Sequence, residues 1–131
     1  MNSKSIPNLE GKALSVLGPV NPADLQDSLK KIENYFINLN KSNTKPISIG
    51  GDHLISLPIL RGIKKDKPLG MFHFDSHTDT WDSYFGGFKY THGTPFRRAI
   101  EENLLDPKTV SYTHLRAHET RHDLVCRLLL E

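Results

Sequence analysis

The sequence predicts an α/β protein built on a parallel sheet, and two observations predict it. Apolar runs of strand length alternate with segments of helical period, in the order helix, strand, helix, strand, loop, helix, which is the pattern of βαβ units. Each strand-like run also leads into a cluster of Gly, Asp and His residues, and open parallel sheets bind ligands beyond the carboxyl ends of their strands.

The first helix is predicted over Asn21–Asn40, with Asn21 as N-cap, Pro22 at the first helical position and Asp24 in an acidic first turn. Leu25, Leu29, Ile32, Phe36 and Leu39 recur at spacings of three and four and form one apolar stripe. A polar loop, Ser42–Pro46, leads to a short strand at Ile47–Ile49 that ends in Gly50-Gly51. A second helix follows over Ser56–Ile63, where Pro58 suits the first turn better than the interior. Leu69–Phe74 is an apolar run that enters Asp75 directly. Thr94 then caps a third helix, with Pro95 just inside it and Phe96, Ala99 and Ile100 on its inner face, ending near Leu104.

Composition narrows the function classes. The chain has 131 residues, 37% apolar and 24% charged, which suits one globular domain with a modest core. Its net charge of +2 is too small to argue for nucleic acid, and no basic run could track a phosphate backbone. Cys126 is the only cysteine, so an internal disulfide and a thiolate zinc site are both excluded. No apolar stretch approaches the ~20 residues that span a bilayer. Ala13–Leu17 is too short for a signal core, and the first arginine is Arg61, which argues against a transit peptide; the expected location is the cytoplasm.

Chemistry concentrates in two places. In Asp75-Ser76-His77-Thr78-Asp79 the ligand types fall at every second residue, so continued strand geometry would put Asp75, His77 and Asp79 on one face. Burying two carboxylates together is costly unless cations neutralise them. Gly50-Gly51-Asp52-His53 ends the preceding strand, and its glycines let the backbone turn sharply so that His53 reaches the same pocket. Carboxylate and imidazole donors without thiolate suit Mn²⁺, and also Zn²⁺, Co²⁺ or Fe²⁺. One Asp could bridge two ions roughly 3.5–4 Å apart.

The surrounding residues have plainer expectations. Asp52 either orients His53 or caps a turn. His73 is read as turned away from the Asp75 face by alternation, a packing histidine or one that supports a ligand from behind. Trp81 and Asp82 follow the ligands on a loop and are candidates for substrate contact. Gly86 and Gly87 mark a tight or mobile loop. Arg97 and Arg98 are read as a solvated or subunit-contact face.

GGDHLISLP, FHFDSHTDTWD and YTHGTPFRRAIEENLLDP together resemble the ureohydrolase family, the arginase and agmatinase group, and are most similar to agmatinases and related guanidino-acid hydrolases. The resemblance runs from about Asn21 to Lys108. It implies a three-layer α-β-α fold with a parallel sheet, present as a partial domain at residues 1–109. It implies two Mn²⁺ per intact subunit, with His53 and Asp79 holding one, His77 the other, and Asp75 bridging. It implies that His92 stands near the substrate as a proton shuttle. The expected reaction is hydrolysis of agmatine to putrescine and urea. The alternatives are guanidinobutyrate or another guanidino acid as substrate, or a non-catalytic metal-binding module. Intact members of the group form homo-oligomers. The family's later Asp-x-Asp strand and substrate-pairing acidic residue have no counterpart here, so this chain alone is expected to be inactive.

Residues 110–131 read differently. They contain no glycine or proline, although a turn and a strand should follow the third helix. VSYTHLRAHET, followed by DLVCRLLLE, resembles the conceptual translation of a common sequencing-library adapter. This tail is therefore set aside as non-native with no domain of its own, and His114, His118 and His122 are given no metal role.

Overall fold

The computed structural model describes residues 24–42, 45–84, 86–114 and 125–126. Helix α1 spans Leu25–Lys41, and its cap is Asp24, whose side chain accepts from the Asp27 N–H at 3.0 Å. The expected cap Asn21 lies outside the described residues. The predicted stripe is the packed face, with Leu29, Ile32 and Phe36 buried.

A 3-10 turn at His53–Ile55 runs directly into α2 (Ser56–Ile63), which places Pro58 in the first turn as expected. Helices α1 and α2 meet closely at Gly62. A Cβ there would stand 2.5 Å from Phe36 Cβ and 2.9 Å from the Glu33 carbonyl oxygen. The Asn40 amide secures the contact by donating to the Ile63 carbonyl at 3.2 Å. Gly62→Ala is expected to cost about 1–3 kcal/mol, because a backbone atom cannot yield as a side chain can. Urea denaturation checks this by a lower midpoint at unchanged slope.

Strand β1 (Leu69–Asp75) pairs in parallel with β2 (Leu105–His114), and α3 (Pro95–Glu101) lies between them in sequence, giving one βαβ unit. A two-residue strand, β3 (Val125–Cys126), adds antiparallel to β2, so the order is β1-β2-β3. The core joins Leu29 of α1, Leu54 of the turn, Leu57 of α2, Phe96 and Ala99 of α3, and Leu104, Leu105 and Val110 at β2. Leu57 is fully buried, and Leu57→Ala is expected to lose about 2–5 kcal/mol from transfer and cavity effects, read by the same denaturation. Arg61 clamps α2 to the end of α3, donating to both carboxylate oxygens of Glu102 at 2.5 and 2.6 Å.

The helices cover one face of the sheet. On the other, Phe72 and Phe74 are 80% and 70% exposed, so the described residues supply two of the three expected layers. No helix among them is long and apolar enough to cross a membrane.

Three expectations need correction. Ile47–Ile49 is not a strand; both isoleucines are almost wholly exposed, because no neighbouring strand among the described residues completes a ladder. Helix α3 stops at Glu101 rather than near Leu104. Asn103 turns left-handed at φ 54°, the Asn103 N–H donates to Ile100 and the Leu104 N–H to Ala99, a terminator that satisfies the last carbonyls. Thr94 holds the cap position, but its hydroxyl accepts from the Thr91 N–H and serves the preceding loop instead of the helix. Val110 is buried in the core, and β2 continues opposite β1 as far as His114.

A candidate metal centre

The site grows from the end of β1. Residues of odd number on this strand face the helices, and Phe72 and Phe74 face away. His73 and Asp75 are two residues apart and therefore share the inner face. This corrects the reading of His73 as turned away. His73 Nε2 lies 3.6 Å from Asp75 Oδ2, and the histidine is buried.

Beyond Asp75 the strand geometry ends in a bend, so simple alternation no longer places the side chains. His77 turns outward, 78% exposed, with Nδ1 3.8 Å from Asp75 Oδ1 and 3.1 Å from Ser76 Oγ. Asp79 returns to the interior by adopting φ 50°, a left-handed conformation that Asp tolerates better than most residues. Its carboxylate is buried, and its carbonyl accepts the Phe96 N–H at 3.2 Å, which ties the loop to the start of α3.

His53 arrives from the 3-10 turn rather than from a strand end. Asp52 caps that turn by accepting the Leu54 N–H at 2.8 Å, the second of its two expected roles. His53 Nδ1 comes to 2.5 Å from Asp79 Oδ2 and 3.7 Å from Asp75 Oδ2. His53, His73, Asp75 and Asp79 each offer a donor atom, all within 4.8 Å of one another. Three of the four expected ligands thus converge; His77 stands apart, and His73 joins them.

Phe96 forms the wall behind the two imidazoles, its ring centroid 5.4 Å from His53 and 4.5 Å from His73, edge to face in both cases. Burial, opposed by the charges of Asp75 and Asp79, pushes the His73 imidazolium below its ordinary pKa, which favours the neutral ring that ligates metals. Burial alone would raise the Asp75 carboxyl. The backbone N–H groups of His77 and Ser76, with the imidazoles of His73 and His53, outweigh it and keep the group below the usual carboxylate range. Two imidazoles and two carboxylates without sulfur form a donor set that fits a divalent ion such as Mn²⁺.

His92 is not among the four. It is exposed, its ring lies 5.4 Å from that of Tyr84, and it borders a cavity of about 370 Å³ lined also by Leu29, Ile32, Leu54 and Tyr90. Trp81 is 61% exposed, packs edge-on against Tyr84, and donates its backbone N–H to Gly93. Asp82 is exposed and accepts from Arg98 Nη2 at 3.3 Å. Arg98 itself is 3% exposed and also pairs with Glu101, so the reading of it as a solvated face is overturned; it ties α3 to the loop that carries Trp81 and Asp82.

Sequence reasoning missed two members of this site. A correct count of the two-residue period from Asp75 would have found His73. Phe96 carried no chemical signal, since it reads only as an inner-face residue of a helix.

Comparison with known proteins gives the family. The Arginase family model matches residues 4–127. A guanidinopropionase of Pseudomonas aeruginosa is 61% identical over 89 residues, which cover 68% of this chain and 28% of that protein. A mitochondrial agmatinase of Gallus gallus is 42% identical over 98 residues, 74% of this chain and 28% of its own length. Among solved structures, the proclavaminate amidino hydrolase of Streptomyces clavuligerus superposes with a TM-score of 0.67 at 35% identity, covering 76% of this chain and 34% of that one. The chain spans about three-tenths of the length of these two relatives. With its βαβ unit and the carboxylate-imidazole cluster at the end of β1, the chain belongs to the Arginase family.

Proposed function

We propose that this chain supplies part of the metal cradle of a manganese hydrolase that cleaves guanidino compounds to urea and an amine. The convergence of His53, His73, Asp75 and Asp79 carries this reading. His53, Asp75 and Asp79 would hold the ion pair, with His77 completing the set after a rotation from its outward position. A divalent ion at these donors supplies Lewis acidity and makes water acidic enough to act as a nucleophile near neutral pH.

The protein's own groups carry the remaining steps. A guanidinium is cationic and resonance-stabilised, so it must be held against the nucleophile. Trp81 and Asp82 stand on the loop that follows the ligands and contact the substrate there. A C–O bond forms at the guanidinium carbon, the bond from that carbon to the nitrogen carrying the carbon chain breaks, and the departing nitrogen takes up a proton. His92 delivers that proton, imidazole being the side chain most often used as a positioned acid. Water is consumed, and urea and a primary ammonium are released.

Identity of 61% to a guanidinopropionase, against 42% to an agmatinase, favours a guanidino acid over agmatine, the reverse of the order the motif details suggested. The test is urea release by the full-length protein that carries this segment, with Mn²⁺, on 3-guanidinopropionate, 4-guanidinobutyrate and agmatine. The highest kcat/KM is expected on a guanidino acid. Preference for agmatine would reverse the substrate order, and no urea from any of the three would reject the hydrolase.

A further inference from the structure

We infer that His73 is a positioning residue, which sets the orientation of the Asp75 carboxylate for metal binding. This rests on the metal-site reading above. The two oxygens of Asp75 have different surroundings. Oδ1 accepts the His77 N–H at 3.1 Å and receives the Ser76 hydroxyl at 3.4 Å, so it is anchored to the bend. Oδ2 faces the interior, 3.6 Å from His73 Nε2 and 3.7 Å from His53 Nδ1. A carboxylate anchored at one oxygen still swings about its χ2 axis, which is a soft torsion. Something must hold the second oxygen at the angle the ion needs.

His73 can do this because its ring does not move freely. It projects from the inner face of β1, is 8% exposed, and lies edge-on to Phe96 at 4.5 Å. With its proton on Nε2, it presents a donor 3.6 Å from Oδ2, a gap that a small rotation of the carboxylate closes to a hydrogen bond, and it leaves the lone pairs away from the ring for the cation. Groups that orient metal ligands in this way contribute about 10–100-fold to metal affinity.

The experiment is Mn²⁺ titration by calorimetry on the full-length protein, comparing the parent with His73→Phe and His73→Gln. Phenylalanine keeps the ring against Phe96 without a donor, and glutamine returns a donor near the Nε2 position. His73→Phe is expected to weaken Mn²⁺ binding by about 10–100-fold with a thermal midpoint within a few degrees of the parent. His73→Gln is expected to recover most of that loss. Parent-like affinity in His73→Phe would overturn the inference, leaving His73 a packing residue. Loss of a whole equivalent of Mn²⁺ in both variants would overturn it too, since His73 would then be a ligand. The same holds if His73→Gln binds no better than His73→Phe, or if the parent binds no Mn²⁺. Urea release is read separately: a parent that binds Mn²⁺ with the expected His73 dependence but releases no urea would reject only the hydrolase.

Discussion

Asp75→Asn in the full-length protein is expected to remove Mn²⁺ binding and urea release together, while the fold survives. Asp75 faces both imidazoles of the cluster: its Oδ2 lies within 3.7 Å of His53 and His73. An asparagine keeps the shape but removes the charge that neutralises the cation and one of the donor oxygens. Metal-based charge stabilisation amounts to several kcal/mol, so the rate should fall by roughly a thousandfold or more. The structural cost should be small. Asp75 is the last residue of β1, its side chain is 30% exposed, and the asparagine carbonyl can still accept the His77 N–H. Metal content by elemental analysis and urea release are the two measurements. A variant that keeps its metal and its activity would remove Asp75 from the site.

His92→Asn is expected to separate turnover from metal content. The histidine is exposed at the edge of the cavity, packed by Tyr84, and does not belong to the group of four donors. If it delivers the proton to the departing nitrogen, its loss should lower kcat by about 10²–10⁴-fold, the usual contribution of a positioned acid. Mn²⁺ per subunit should stay near the parent value. A large loss of metal in this variant would show that His92 supports the cluster instead of the proton transfer. The effect should be smallest on a substrate whose leaving amine is least basic, because such a nitrogen departs with less help.

Much of this architecture was legible in the residues. The three-four spacing of Leu29, Ile32 and Phe36 marks the buried face of α1, because a helix repeats its faces every 3.6 residues. The run Leu69–Phe74 reads as a strand from its apolar character and its length, and in the structure its burial alternates with a period of two. The donors His53, Asp75 and Asp79 were identifiable by type and by their place after strand-like runs. Ile47–Ile49 was not correctly legible, since a strand is defined by its hydrogen-bonding neighbour and local propensity cannot supply one. The fate of Arg98 was hidden as well: an arginine on a short helix looks solvated until Asp82 and Glu101 are brought to it from outside and along the helix.

What the sequence determined by itself is the inventory: which donors exist, that none is a thiolate, and which strand delivers them. Tertiary structure alone decided which of them meet. The left-handed turn at Asp79 carries one carboxylate inward while the preceding bend leaves His77 outside. Phe96, arriving from α3, closes the wall against His53 and His73. Periodicity describes side chains only while the backbone stays regular, and this site is built where β1 stops being a strand.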